Sequence, residues 1–114
     1  MGIKPISVLQ CNVQRSYASQ HELVCTFMSN KYSICLITEP YTGSASAVHN
    51  IQGVDVFQFP AGSTTAGSPK VKACILVKQS AAIAIGCSQH STPNLAVIQI
   101  NIAQRRLFVA SAYI

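Results

Sequence analysis

Asn12 and Glu39 are the residues best suited to chemistry in this chain of 114 residues. Each is the polar stop of an apolar run, in Leu9-Gln10-Cys11-Asn12 and in Ile34-Cys35-Leu36-Ile37-Thr38-Glu39-Pro40-Tyr41. A carboxylate or amide at a strand end can hold a hard cation or orient a phosphate. In open α/β sheets, ligands gather where strands give way to loops. Glu22, Glu39 and Asp55 are the only acids, so a carboxylate placed directly after an apolar strand asks for a cation nearby. The rival reading of Glu39 is a loop residue capping a backbone amide. An asparagine after a strand is also an ordinary turn residue.

Other polar residues are less specific. Lys70, Lys72, Arg105 and Arg106 can meet phosphates through charge, or simply stand solvated. A histidine could act as general base for an attacking water. His21, however, falls at a helix start, and His49 and His90 fall in polar loops, so none is assigned that role. Ser19-Gln20-His21-Glu22 fits a capping box, in which the hydroxyl and the carboxylate each satisfy an orphan amide. That motif explains Glu22 structurally.

The elements that must position Asn12 and Glu39 follow from apolar spacing. Residues 6–13 read as a buried strand. Residues 17–30 change to helical spacing, with Leu23 and Phe27, and Val24 and Met28 beside them, on one face. Asn30-Lys31 closes that helix, and residues 32–38 form a second buried strand. Strand, helix, strand of this length predicts a right-handed parallel crossover. Residues 42–47 make a loop, 54–59 a short strand ended by Pro60, and 61–69 a flexible loop. Residues 73–77 and 81–87 are further strands. Residues 95–102 and 107–114 read as an antiparallel hairpin around 103–106.

Composition narrows the class. Hydrophobic residues make up 49% and charged residues 10%, against roughly 25% charged in an average soluble domain. The net charge of +5 favours a polyanionic partner such as nucleic acid, although no basic run exceeds two residues. Cys11, Cys25, Cys35, Cys74 and Cys87 form no Cys-x-x-Cys pair and read as buried thiols of a reducing compartment, nuclear or cytoplasmic. No apolar run approaches the ~18 residues of a membrane span. Gly2 does not complete a myristoylation pattern, because Ile6 stands where Ser or Thr is required.

Taken in order, these segments resemble the endonuclease/exonuclease/phosphatase superfamily, and more narrowly the apurinic-type endonuclease domain of non-LTR retrotransposons. The likeness rests on Leu9-Gln10-Cys11-Asn12, on Arg15-Ser16 and Ala18, and on Leu36-Ile37-Thr38-Glu39-Pro40-Tyr41. Lys72-Ala73-Cys74-Ile75-Leu76-Val77 and Phe108-Val109-Ala110-Ser111-Ala112-Tyr113 continue it. The resemblance implies an α/β (α+β) fold, a four-layer sandwich of two facing sheets with helices outside. Residues 1–114 would be its truncated N-terminal half, mostly one mixed β-sheet with one main helix. The family's later Asp-x-Asn and closing Asp-His motifs do not occur in this sequence.

The resemblance also implies roles. Glu39 would bind a divalent cation, magnesium with manganese as a substitute, which stabilises charge on a scissile phosphate. Asn12 would help hold the metal or phosphate region, and Tyr113 would contact the target phosphate. Tyr41 could stack on a base or sugar, and Arg15, Lys70 and Lys72 would bind the nucleic acid. Gln14 stands near where many superfamily members carry an acid. The expected activity is metal-dependent nicking of target DNA for retrotransposition. The expected partners are DNA and the remainder of a parent polyprotein, with no membrane. Lacking the base and the Asp-x-Asn pair, this chain by itself is expected to be inactive. Rival readings are a non-catalytic remnant, a lipid phosphodiesterase of the same superfamily, and an independent nucleic-acid-binding module.

Overall fold

A computed structural model describes residues 6–59, 69–81, 84–102 and 104–114. Gly2, Pro60, most of the 61–69 loop, part of the 81–87 strand and Ala103 in the hairpin turn lie outside the described residues.

The first unit is β1 (Val8–Asn12), α1 (Tyr17–Ser29) and β2 (Ile34–Thr38). Its two strands pair in parallel, Val8 opposite Ile34 and Asn12 opposite Thr38, as the crossover spacing predicts. Ser16 is the N-cap of α1, with extended backbone and its hydroxyl accepting from Ser19 N at 3.2 Å. The capping box expected at Ser19 therefore does not form. The cap sits three residues earlier, and Glu22 is an exposed residue inside the helix. Leu23 and Phe27, one turn apart, are the buried residues of α1. Asn30 caps the C-terminus, its Nδ2 donating to Thr26 O at 2.8 Å.

Two more strands complete the first sheet: β3 (Val54–Phe57) and β4 (Ala73–Lys78). The order is β1-β2-β4-β3, with β4 antiparallel to both neighbours. A second, three-stranded antiparallel sheet follows, ordered β5 (Ala84–Gly86), β6 (Leu95–Ile102), β7 (Arg105–Ala112). The α/β class with one main helix holds. The strands divide into sheets of four and three rather than lying mostly in one.

The period of two in β2 and β4 explains the layering. Cys35, Ile37, Cys74 and Leu76 face α1 and pack with Leu23 and Phe27. Ile34, Ile75 and Val77 face the other way and meet Ala96, Ile98 and Ile100 of β6. The second sheet thus covers the face of the first sheet that lies opposite α1. Strands buried on both faces read as continuous apolar runs, which is what β2 and β4 are.

Residues 6–13 are less buried than their composition suggests. In β1 only Leu9 is even half-buried, because β1 is an edge strand and the second sheet lies against β2, β3 and β4. Two cysteines change with it. Cys11, on the edge, and Cys25, about 200° around α1 from Leu23, are exposed, whereas Cys35, Cys74 and Cys87 are buried. Among the described residues no helix is long and apolar enough to cross a membrane.

Candidate functional site

Two parallel strands ending side by side bring Asn12 and Glu39 together. β1 and β2 stop in register at Asn12 and Thr38, and Glu39 is the next residue. Asn12 Nδ2 donates to Glu39 Oε1 at 3.1 Å, while Asn12 Oδ1 accepts from Gln14 N at 2.9 Å. A donor on one side and an acceptor on the other fix which way the amide points. Asn12 therefore presents its nitrogen to the carboxylate and keeps its oxygen on the turn.

That turn is strained. Gln14, Arg15 and Glu39 have positive φ values of 52°, 59° and 49°, each a conformation costing of order 1–3 kcal/mol in a non-glycine residue. The surroundings hold it. Arg15 N donates to Glu39 O at 2.8 Å, and Glu39 N donates to Lys72 O at 2.9 Å. Arg15 Nε lies 3.8 Å from Glu39 Oε2, with the glutamate side chain 24% exposed.

Arg15, Tyr41, Lys70 and Lys72, assigned above to nucleic acid, line one pocket of about 120 Å³ together with Pro40, Thr42, Gly43 and Val71. Lys70 Nζ donates to Gly43 O at 3.1 Å. Lys72 Nζ sits 5.4 Å from the centre of the Tyr113 ring, which brings Tyr113 to the same end of the sheet. Tyr113 lies just past β7, its N donating to Asn94 O at 2.8 Å.

His21, His49 and His90 are all exposed. Glu22 stands on α1, and Asp55 stands on β3, where it accepts from Gln79 Nε2 at 3.2 Å. Among the described residues no group of three or more His, Cys, Asp and Glu could hold a metal ion. A cation here would have one carboxylate, that of Glu39. Magnesium fits such a donor set, because it keeps several waters and binds through one or two carboxylates plus substrate phosphates. An all-protein cage does not.

Two residues that position the site were not apparent from sequence. Gln20 Oε1 accepts from Tyr41 N at 2.7 Å and its Nε2 donates to Tyr41 O at 3.1 Å, fixing the turn that carries Glu39. Ser111 Oγ, buried between the sheets, donates to Ile37 O at 3.0 Å, two residues before Glu39. A glutamine on a helix and a serine on a strand carry no local signal of such contacts.

Facing sheets, a helix on the outer face and polar residues at the strand ends make up a layered α/β arrangement. Over 96% of its length the chain matches a solved structure, the endonuclease domain of TRAS1, a telomere-specific non-LTR retrotransposon, with a TM-score of 0.74 and 33% sequence identity. The likeness to a retrotransposon endonuclease domain, drawn from the motifs at Asn12 and Glu39, is thereby shown for the fold. The chain spans 45% of that structure's length. No family model and no curated protein matches this chain.

Proposed function

We propose that this chain is the N-terminal part of a DNA endonuclease domain of retrotransposon type, with Glu39 as its metal-binding carboxylate. The observation that carries the reading is the convergence at one sheet end. There the Glu39 carboxylate is held by Asn12 and faced by Arg15, and it adjoins a pocket lined by Tyr41, Lys70 and Lys72. A bound divalent cation supplies electrophilic stabilisation of a scissile phosphate. Asn12 orients the carboxylate, and the basic residues with Tyr113 receive the DNA backbone. The base that activates water and the Asp-x-Asn pair belong to the remainder of the parent protein.

The same reading assigns a partner to β7. Among the described residues this strand pairs with β6 alone, and it exposes Leu107 by 48% and Phe108 by 60%. An unpaired edge with apolar side chains is a template for another strand. The matched structure is more than twice as long as the matched part of it, which supports a strand from the parent polyprotein as the occupant.

The test is duplex DNA binding by the 114-residue chain over a sodium chloride series. Binding should weaken with salt, and Lys72→Ala should lower the slope of log affinity against log salt by about 1. Salt-insensitive binding, or none, would overturn the DNA assignment. With magnesium, supercoiled plasmid should stay intact. Nicking that Glu39→Ala abolishes would disprove the inactivity of the isolated chain while upholding the role of Glu39.

A further inference from the structure

On the far side of Tyr41 from the basic pocket lies a larger cleft of about 350 Å³, lined by Tyr17, Gln20, His21, Val24, Tyr41, Val48, His49, Asn50 and Ile51. Its volume is within the ~300–1,000 Å³ of small-molecule clefts, and four of its lining side chains are flat rings. Tyr17 stacks loosely on His21, with ring centres 6.0 Å apart and planes at 15°, and meets Tyr41 edge-on at 5.4 Å. Tyr17 nevertheless keeps 62% of its surface exposed, so its ring is open to a further stacking partner. The exposed side chains of His49 and Asn50 bring hydrogen-bonding groups to the rim.

Tyr41 lines both this cleft and the pocket that holds Arg15, Lys70 and Lys72. An anion on the three cations therefore has an aromatic cleft one side chain away. Phosphate and base have that relation within one nucleotide of a single strand. Proteins that hold single strands pair a basic track with aromatic platforms in the same way.

We propose that the cleft between α1 and the 48–51 segment is a base-binding subsite. It takes one unpaired nucleobase of a DNA strand whose backbone lies on Arg15, Lys70 and Lys72. The proposal rests on the DNA reading above and adds to it a second contact, specific for unpaired rather than duplex DNA. Tyr17 stacks on the base, Tyr41 meets it edge-on, as it meets the Tyr17 ring, and His49 and Asn50 face its polar edge. The Gln20 amide holds the Tyr41 backbone and so fixes the wall shared by the two pockets.

The experiment compares three chains, wild type, Tyr17→Ala and Tyr17→Phe, binding a single-stranded oligonucleotide and a blunt duplex of the same sequence. Tyr17→Ala should weaken single-strand binding about 5- to 100-fold and leave duplex binding unchanged, while Tyr17→Phe should keep both. Tyr17 is exposed, so the chain folds without it. Lys72→Ala should weaken both forms. Photocrosslinking of a 5-iodouracil oligonucleotide should map to Tyr17, His21 or Tyr41. Equal single-strand affinity in Tyr17→Ala, or crosslinks only elsewhere, would overturn the subsite and leave the endonuclease reading standing. No salt-dependent DNA binding by the wild type would overturn both.

Discussion

Gln20 grips the backbone of Tyr41 from both sides, its Oε1 accepting from the N–H at 2.7 Å and its Nε2 donating to the C=O at 3.1 Å. A side-chain amide thus serves as a strand partner would, for a residue that has none among the described residues. Gln58 does the same for Val48, at 2.8 and 3.0 Å. The two glutamines pin both ends of the loop that borders the candidate site. This gives order to a segment whose Gly, Ser and Ala content suggests otherwise.

Gln20→Ala should cost about 1–3 kcal/mol of stability, because two part-buried backbone groups lose their partner. Gln20→Glu keeps an acceptor for Tyr41 N but loses the donor to its carbonyl, so it should recover only part of the loss. Urea denaturation measures the stability, and amide exchange at Tyr41 localises it. An Ala variant as stable and as protected as wild type would show that the grip contributes nothing.

Asn12→Asp places a second carboxylate beside Glu39, where a donor now stands at 3.1 Å. Repulsion at that distance is worth about 1–4 kcal/mol near a protein surface. The repulsion is present while both carboxylates are charged at neutral pH and disappears as pH falls and the pair takes up a proton. The variant should be less stable than wild type at pH 7, with the gap closing toward pH 4. Two carboxylates should also bind manganese more tightly than one, readable by paramagnetic relaxation. A gap that widens on acidification would contradict the geometry.

Thiol reactivity should divide the five cysteines two and three. Cys11 and Cys25 are exposed, and Cys35, Cys74 and Cys87 are buried. An aromatic disulfide reagent should modify two thiols quickly in the native chain and the rest only on unfolding. Mass spectrometry identifies which react. Rapid modification of Cys35 or Cys74 would be incompatible with the layered core.

Alkaline stability follows from the same burial. Desolvation, with Cys11 as a smaller cause, pushes the Cys35 thiol up to about 12 from its ordinary 9.0. Burial, and then Cys35 beside it, pushes Cys74 well above its ordinary range. Both thiols stay protonated in the folded chain where the unfolded chain would release protons. Their contribution is therefore whole below pH 9 and declines above it, by about 1.4 kcal/mol per pH unit for each thiol. Cys35→Val should remove one thiol's share of that slope. Denaturation at a series of pH values from 7 to 10.5, under reducing conditions, gives the comparison; an unchanged slope would count against it.

The order of elements and the placing of the site were legible because both follow from local pattern. Apolar runs of strand length around a helical period give β1-α1-β2, and parallel pairing of strands that end together then brings Asn12 to Glu39. What misled was composition taken as burial. Val8 and Cys11 lie in a mostly apolar run, yet they stand on an edge strand. The N-cap was missed for a similar reason. Ser19-Gln20-His21-Glu22 satisfies the motif, but the left-handed turn at Gln14 and Arg15 delivers Ser16 to the helix start first.

By itself the sequence determined the α/β class, the crossover and the meeting of an amide with a scarce carboxylate at two strand ends. Those depend on periodicity and on neighbours along the chain. Tertiary structure alone decided that the strands split into two facing sheets, with Ser111 of β7 bonded to Ile37 of β2. It also decided that Gln20 and Gln58 hold the backbone of Tyr41 and Val48, 21 and 10 residues away, and that Arg15, Tyr41, Lys70 and Lys72 line one pocket. Each is a contact between residues 10 or more positions apart, set by which faces of α1, β2 and β4 found apolar cover, and no local pattern encodes it.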